Sequence, residues 1–333
     1  MKVNFPTMTQ ALSAAGILLT CGLIPGEALA CACGCSVFDV GSTTLLPKEN
    51  DHGGVVYFEW DQSDQTTHWS GTSKGAGLNP NGDRRIYTDW YVTGLNYMVN
   101  RDWGFSVRIP SAYRGFTSND GTSDSTSKIT TVGDIELTGM YTGLSKDMSK
   151  GLIFGLKLPT GPWKADGFDR DTQIGTGSTD LILGGFWRGM ITGDNAWQYY
   201  VQTKLVKPLA THSVSTQSFG DIGNYVPGTS VDSAAGIVYN NWYHVGPFDK
   251  VAPLLQLIYS HREHDSGDAA DPDNTGYDRV FISPGIDITK VIDDANNRTF
   301  KLYGDVEIPI YTRVNGDQQV APVLFKIVAG YTF

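Results

Sequence analysis

After its first thirty residues the sequence has no run approaching the ~18 consecutive apolar residues that a membrane-spanning helix requires. It also lacks the 3.6-residue hydrophobic periodicity of amphipathic helices, which argues against a soluble α/β enzyme of this length. Lysine and arginine form no cluster, and 35 acids against 25 bases leave a net charge of −10. A polyanion would find no basic patch, so nucleic acid is excluded as a partner. No self-similarity appears at the roughly 20–50-residue periods of solenoids and propellers. Cysteine is scarce, with 4 in the chain, and three of these stand together at Cys31, Cys33 and Cys35.

What remains is rich in glycine and aromatics: 39 Gly, 16 Tyr, 14 Phe and 8 Trp, at 40% hydrophobic residues and a negative mean hydropathy. A membrane β-barrel needs this mixture, because each strand turns one face to lipid and the other to a polar interior. Bulk composition alone also fits a soluble β-sandwich. The start reads as a secretory signal, with Lys2 as a positive end, Ala11 to Leu23 as the apolar stretch and Ala28-Leu29-Ala30 as the cleavage site. Gly16, Gly22 and Pro25 interrupt the apolar stretch, which argues against a retained anchor. Cleavage makes Cys31 the mature N-terminus, and losing Lys2 and Glu27 leaves the net charge unchanged.

Twelve segments alternate with period two, near residues 54–61, 85–99, 103–112, 133–142, 151–158, 178–189, 196–207, 233–243, 251–260, 279–289, 299–311 and 323–333. In the eleventh, Phe300, Leu302, Val306, Ile308 and Ile310 share one face, and Lys301, Tyr303, Asp305, Glu307 and Tyr311 the other. The connections alternate too. Long ones follow the odd strands (Gln62 to Arg84, Tyr113 to Val132, Pro159 to Gly177, Pro208 to Asp232, His261 to Asp278, Thr312 to Pro322), and short ones follow the even strands, such as Asn100-Arg101-Asp102. A barrel with both termini in the periplasm places every long loop outside the cell; a sandwich has no reason for this pattern. The long loops, rich in Ser, Thr, Asn, Asp and Gly, are expected to be solvated and mobile. The final segment carries Val323, Phe325, Ile327, Ala329, Tyr331 and Phe333 at strict spacing two. Such an ending is similar to that of proteins handed to the barrel-assembly machinery. The expected fold is all-β: a transmembrane antiparallel up-and-down barrel of about twelve strands over residues 54–333. Residues 1–30 form the signal peptide and residues 31–53 a cysteine-containing extension able to plug the lumen.

Three local motifs carry a resemblance. They are Gly133-Asp134-Ile135-Glu136-Leu137, Lys157-Leu158-Pro159-Thr160-Gly161 and Gly175-Thr176-Gly177-Ser178-Thr179-Asp180-Leu181. In this order and spacing the chain resembles the outer-membrane barrel family named for the MetA, meta-cleavage, pathway of phenol degradation, closely over about 50 residues and more loosely across the barrel. The resemblance implies an outer-membrane transporter related in role to fatty-acid and aromatic-hydrocarbon channels. The motif residues themselves are structural: Pro-Thr-Gly turns the chain at a strand end, and the glycines permit tight loops.

Taking the polar face of each strand as inward, the lumen is expected to hold Glu59, Asp89, Arg108, Glu136, Lys157, Asp180, Arg188, Lys204, Asp287, Lys301, Asp305 and Glu307. Most of these charges can pair across a narrow bore, as a structural plug or as a polar path for a small solute. Cys31, Cys33 and Cys35 suit a disulfide with one odd thiol, a soft Cu or Zn site with His52 as the nearest fourth ligand, or lipidation of Cys31. Asp265, Asp268, Asp271, Asp273 and Asp278 make an acidic loop. Its Asp271-x-Asp273-x-Thr275-Gly276 copies half a calcium loop, but Ile282 stands where the bidentate Glu belongs. Ser260-His261 and His264 lack the His-x-Ser-Asn arrangement of barrel phospholipases, and adjacent strand residues face opposite ways. The expectation is therefore a non-enzymatic channel in outer-membrane lipid and lipopolysaccharide, passing a small solute. The rival is a metal-handling or structural surface protein that uses the Cys-x-Cys-x-Cys start.

Overall fold

The computed structural model describes residues 52–211, 213–215 and 222–333. Twelve long strands dominate it: β1 (Gly53–Gln65), β2 (Asp83–Met98), β3 (Trp103–Asn119), β4 (Ile135–Tyr141), β5 (Lys150–Leu158), β6 (Ser178–Met190), β7 (Trp197–Thr211), β8 (Ser230–Tyr239), β9 (Phe248–Arg262), β10 (Tyr277–Asp293), β11 (Arg298–Val314) and β12 (Leu324–Thr332). Each pairs antiparallel with the next. β12 then pairs with β1, from Val55 opposite Thr332 to Ser63 opposite Leu324, which closes the cylinder. Gly54 and Phe333 exchange both backbone hydrogen bonds at the seam, at 3.0 and 2.9 Å. Closure leaves no lipid-facing strand edge with unpaired amides, the condition for a sheet to cross a membrane.

The period-two pattern sorts the side chains as it must in such a cylinder. Phe300, Ile308, Ile310, Phe325, Ile327 and Tyr331 are exposed on the outer surface, while Tyr303, Asp305, Glu307 and Lys326 between them are buried. Holding large apolar side chains in water rather than hydrocarbon costs about 1.5–3 kcal/mol each. A belt that includes Leu137, Leu152, Phe154, Leu156, Leu183, Val201, Leu255 and Leu257 as well therefore fixes the barrel in a bilayer. Aromatic girdles bound the belt. At the short-turn end Trp103 meets Tyr141 with ring centres 4.8 Å apart, and Tyr239 lies between Trp197 at 4.9 Å and Trp242 at 6.0 Å. At the long-loop end Tyr87 lies edge-on to Tyr113 at 6.1 Å.

The inward face is not uniformly polar. Val55, Tyr57, Tyr200, Val238, Leu254, Tyr303 and Val328 are buried inside the cylinder. A twelve-stranded bore is narrow enough for side chains from opposite walls to fill it, and large residues lie over small ones. Tyr57 covers Gly94, where a Cβ would come within 2.1 Å of its ring, and Tyr200 covers Gly236 in the same way.

The segment Tyr113 to Val132, expected as a solvated loop, is instead mostly a hairpin. β3 continues to Asn119, turns at Asp120–Ser123, and pairs back through a strand over Asp124–Val132. A projecting hairpin needs only its backbone ladder, which the alternating Thr and Ser residues support without a core. Likewise Asp317–Val320, within the expected last loop, pairs with a short strand at Thr67–Ser70.

Candidate functional site

Three neighbouring strand pairings set a row of alternating charge across the inner wall. Arg108 on β3 stands opposite Glu136 on β4, Glu136 opposite Lys157 on β5, and Lys157 opposite Asp180 on β6. Arg108 Nε lies 3.8 Å from Glu136 and Lys157 Nζ 2.6 Å from Asp180. Lys204 on β7 reaches across the bore to Glu136 at 2.8 Å, and Arg108 reaches the other way to Glu59 on β1 at 3.1 Å. A second row runs beside it, with Asp61, Lys326 and Asp305 facing one another on β1, β12 and β11. Lys326 Nζ is 3.3 Å from Asp61 and 3.4 Å from Glu59. Asp305 accepts Gln256 Nε2 at 2.8 Å and the Ser283 hydroxyl, and Tyr200 donates to Gln256 over the intervening Gly236. One polar lattice thus ties most of the wall together.

Eleven of the twelve residues read as luminal do face inward: Glu59, Arg108, Glu136, Lys157, Asp180, Arg188, Lys204, Asp287, Lys301, Asp305 and Glu307. They do not form a single cluster. Asp287 sits nearer the short-turn end with Lys250 and Lys301, apart from the two charged rows. Asp89 is a correction, because it faces outward. The Trp60 indole at 3.1 Å and the Tyr87 hydroxyl at 2.8 Å both donate to it, so it belongs to the interfacial girdle, where polar groups meet water and headgroups. Both faces of β2 carry polar and aromatic residues, so polarity alone could not choose between them. Lys326, Asp61, Arg114 and Asp134 are lattice residues that the polar-face reading passed over. Lys326 was legible from the apolar residues flanking it, whereas Arg114 lies beyond the expected end of β3.

Above the charged rows the connection between β5 and β6, residues 159–177, folds down into the mouth. The three motifs behind the family resemblance meet here. Asp134 Oδ1 accepts the Gly161 amide at 3.0 Å, and its Oδ2 accepts both the amide and the hydroxyl of Thr176 at 2.8 Å. The Thr160 hydroxyl donates to Gly133 O at 2.7 Å. Gly133, Gly161 and Gly175 pack backbone to backbone, and a Cβ at Gly175 would stand 2.3 Å from Gly161 O. Deeper in, the buried Arg114 guanidinium donates to the carbonyls of Thr172 at 2.7 Å and Gln173 at 3.1 Å. A second clasp joins the neighbouring loops. Asp265 accepts Arg262 Nη2 at 2.8 Å, the Gly228 amide at 2.7 Å and the Tyr225 hydroxyl, while the Arg170 guanidinium lies 3.7 Å over the Tyr225 ring. Burial and the Asp265 carboxylate together push the Tyr225 hydroxyl well above the usual tyrosine range.

Below this cap is a cavity of about 160 Å³. Trp90, Val92, Pro110, Ile174 and Val206 give it apolar walls, and Arg108, Arg114, Lys157, Glu136 and Asp180 ring it with charge.

Other expectations resolve locally. Ser260 points inward to Asp232, while His261 points outward to Asp278 at 2.8 Å, so the two share no hydrogen bond. Asp265 serves the clasp, and Asp271 accepts the Asp273 amide at 3.2 Å and Asn274 Nδ2 at 3.0 Å. Among the described residues no group of three or more His, Cys, Asp or Glu could hold a metal ion. Cys31, Cys33 and Cys35, the signal segment and residues 31–51 of the extension lie outside the described residues.

No protein-family model and no curated protein matches the chain. Among solved structures it is similar to an outer membrane channel from Pseudomonas putida F1, with a TM-score of 0.58 and 12% identity over 94% of this chain and 100% of that one. A FadL homologue from Pseudomonas aeruginosa aligns at 0.45 and 10% identity over 93% of this chain and 99% of that one. The CymD monoaromatic hydrocarbon channel aligns at 0.42 and 8%, over 92% and 97%. The first likeness establishes the fold. With its apolar belt and girdles, this protein has the fold of an outer-membrane β-barrel.

Proposed function

We propose that the protein is a channel for small solutes, apolar or aromatic in character, with the capped cavity as its loading chamber. The cavity carries this reading. An engineered apolar cavity of about 150 Å³ accepts benzene, so the chamber under Ile174 has room for roughly one ring. Its walls suit an apolar body and its charged rim a polar substituent. Entry from outside requires residues 159–177 to lift, which breaks the Asp134 staple and the Arg114 contacts and separates Arg170 from Tyr225 and Phe168 from Phe116. The likeness to outer-membrane channels and the motif resemblance support the same reading. We further infer that β12, ending at Phe333, is the segment engaged by the assembly machinery, and that lipid and lipopolysaccharide surround the belt.

Swelling of proteoliposomes in a graded series of neutral and aromatic solutes tests this. Single-ring solutes should enter faster than two-ring ones, and Asp134→Ala should raise every rate. Absence of flux through both proteins, each shown to be folded, would overturn it.

A further inference from the structure

Of the 6 methionines in the chain, Met98, Met140, Met148 and Met190 fall in the barrel region. Met190 is exposed on the outer surface. The other three converge inside the lumen at its short-turn end, at 1%, 6% and 4% exposure, walled by Phe186 and Ile153. The sheet register explains how two of them meet. Met98 on β2 stands opposite Gly104 on β3, and Gly104 stands opposite Met140 on β4. The glycine leaves a slot between them, and Met98 Sδ occupies it, 2.5 Å from where a Cβ on residue 104 would be.

Met148 arrives by a different route. It lies in the turn between β4 and β5 with φ of 52°. That left-handed conformation suits Gly, Asn or Asp and is unfavourable for a long side chain. In the β6–β7 and β10–β11 turns the same region is taken by Asn195 and Asn297, at φ of 60° and 53°. Among the described residues, only residue 148 is a left-handed, non-glycine turn position with an apolar side chain, and that side chain is buried against the other two methionines.

We propose that Met98, Met140 and Met148 form a binding site for a soft monovalent d¹⁰ cation, Cu(I) or its analogue Ag(I). Thioethers select such ions and bind hard cations poorly. The aromatic and aliphatic walls of Phe186 and Ile153 keep water from competing. Arg188 borders the cluster, donating to Met148 O at 3.3 Å with its guanidinium 5.8 Å from the Phe186 ring, and Asp147 precedes Met148 in the same turn. The site is independent of whether the lumen carries solute.

Titration with Ag(I), which needs no reductant, tests the proposal. The full chain is used in detergent micelles with Cys21, Cys31, Cys33 and Cys35 replaced by serine and the methionine methyls labelled with ¹³C. The methyl signals of Met98, Met140 and Met148 should shift together and saturate at one equivalent, with Met190 unmoved as the internal reference. Met140→Leu should weaken binding at least tenfold. Gly104→Ala should do the same, because it keeps every thioether but displaces the Met98 sulfur. If no methyl shifts, if Met190 shifts as much as the others, or if both variants bind as the parent does, the cluster is plain packing and the proposal fails.

Discussion

Asp134 accepts two hydrogen bonds from Thr176, one from its amide and one from its hydroxyl, both at 2.8 Å, although the two residues are separated by two strands and a long loop. The same carboxylate holds Gly161, so one side chain closes both ends of residues 159–177. Replacing Asp134 by alanine removes three charge-assisted hydrogen bonds, each contributing about 1.5–3 kcal/mol. The β5–β6 connection should then become cleavable by added protease, while the barrel keeps its heat-modifiable migration on gels.

Glycine at 175 is required for a different reason. Its Cα side faces Gly161 O so closely that any side chain forces the two loop ends apart. Gly175→Ala should free the loop as Asp134→Ala does. Gly121, at an open hairpin tip with nothing within 4 Å of an added Cβ but φ of 92°, should cost only local backbone strain when changed to alanine, with no effect on the cap. Protease sensitivity of residues 159–177 separates the two variants.

Glu59 is fully buried and takes both Arg108 and Lys326. Glu59→Gln leaves two enclosed cations sharing fewer carboxylates, a loss on the order of 3–5 kcal/mol for a broken buried pair. Urea unfolding from detergent should show a lower midpoint. Pairing the change with Lys326→Met should recover part of the loss, since the stranded charge is then removed.

Tyr225 gives the cap an alkaline limit. Its hydroxyl is held protonated by burial and by Asp265, so the folded clasp keeps a proton that the released loop gives up. The folded value is raised, so the clasp is at full strength below the ordinary tyrosine range, near pH 10, and weakens as pH rises beyond it. Proteolysis of residues 222–229 should therefore increase at high pH, and Tyr225→Phe should remove the pH dependence while weakening the clasp at every pH.

Much of the barrel was legible because lipid imposes a strict rule on one face of every strand. The alternation in β11 and β12 gave their inward and outward sets directly, and the long–short rhythm of the connections fixed which end carries the loops. Asp89 misled because the rule relaxes at the interface: at the level of Tyr87 and Trp60 an outward carboxylate can be satisfied by aromatic donors and water. The projecting hairpin was hidden for a related reason. Beyond the membrane neither face of Asp124–Val132 has to be apolar, so Ser and Thr on both sides read as loop. The staple was half visible. Its motifs stood out in the sequence, but that Asp134, Gly161 and Thr176 meet depends on the β4–β5–β6 register and on the loop folding inward, which no local pattern encodes.

Single-channel recording in planar lipid bilayers tests most directly the claim that a capped lumen conducts when its loop lifts. The parent protein should show brief, infrequent openings, and Asp134→Ala should show long ones of the same unit conductance, since the bore is unchanged and only the cap is released. Folded, inserted barrels that remain silent in both forms, or a variant whose unit conductance rises while its open time does not, would contradict the account.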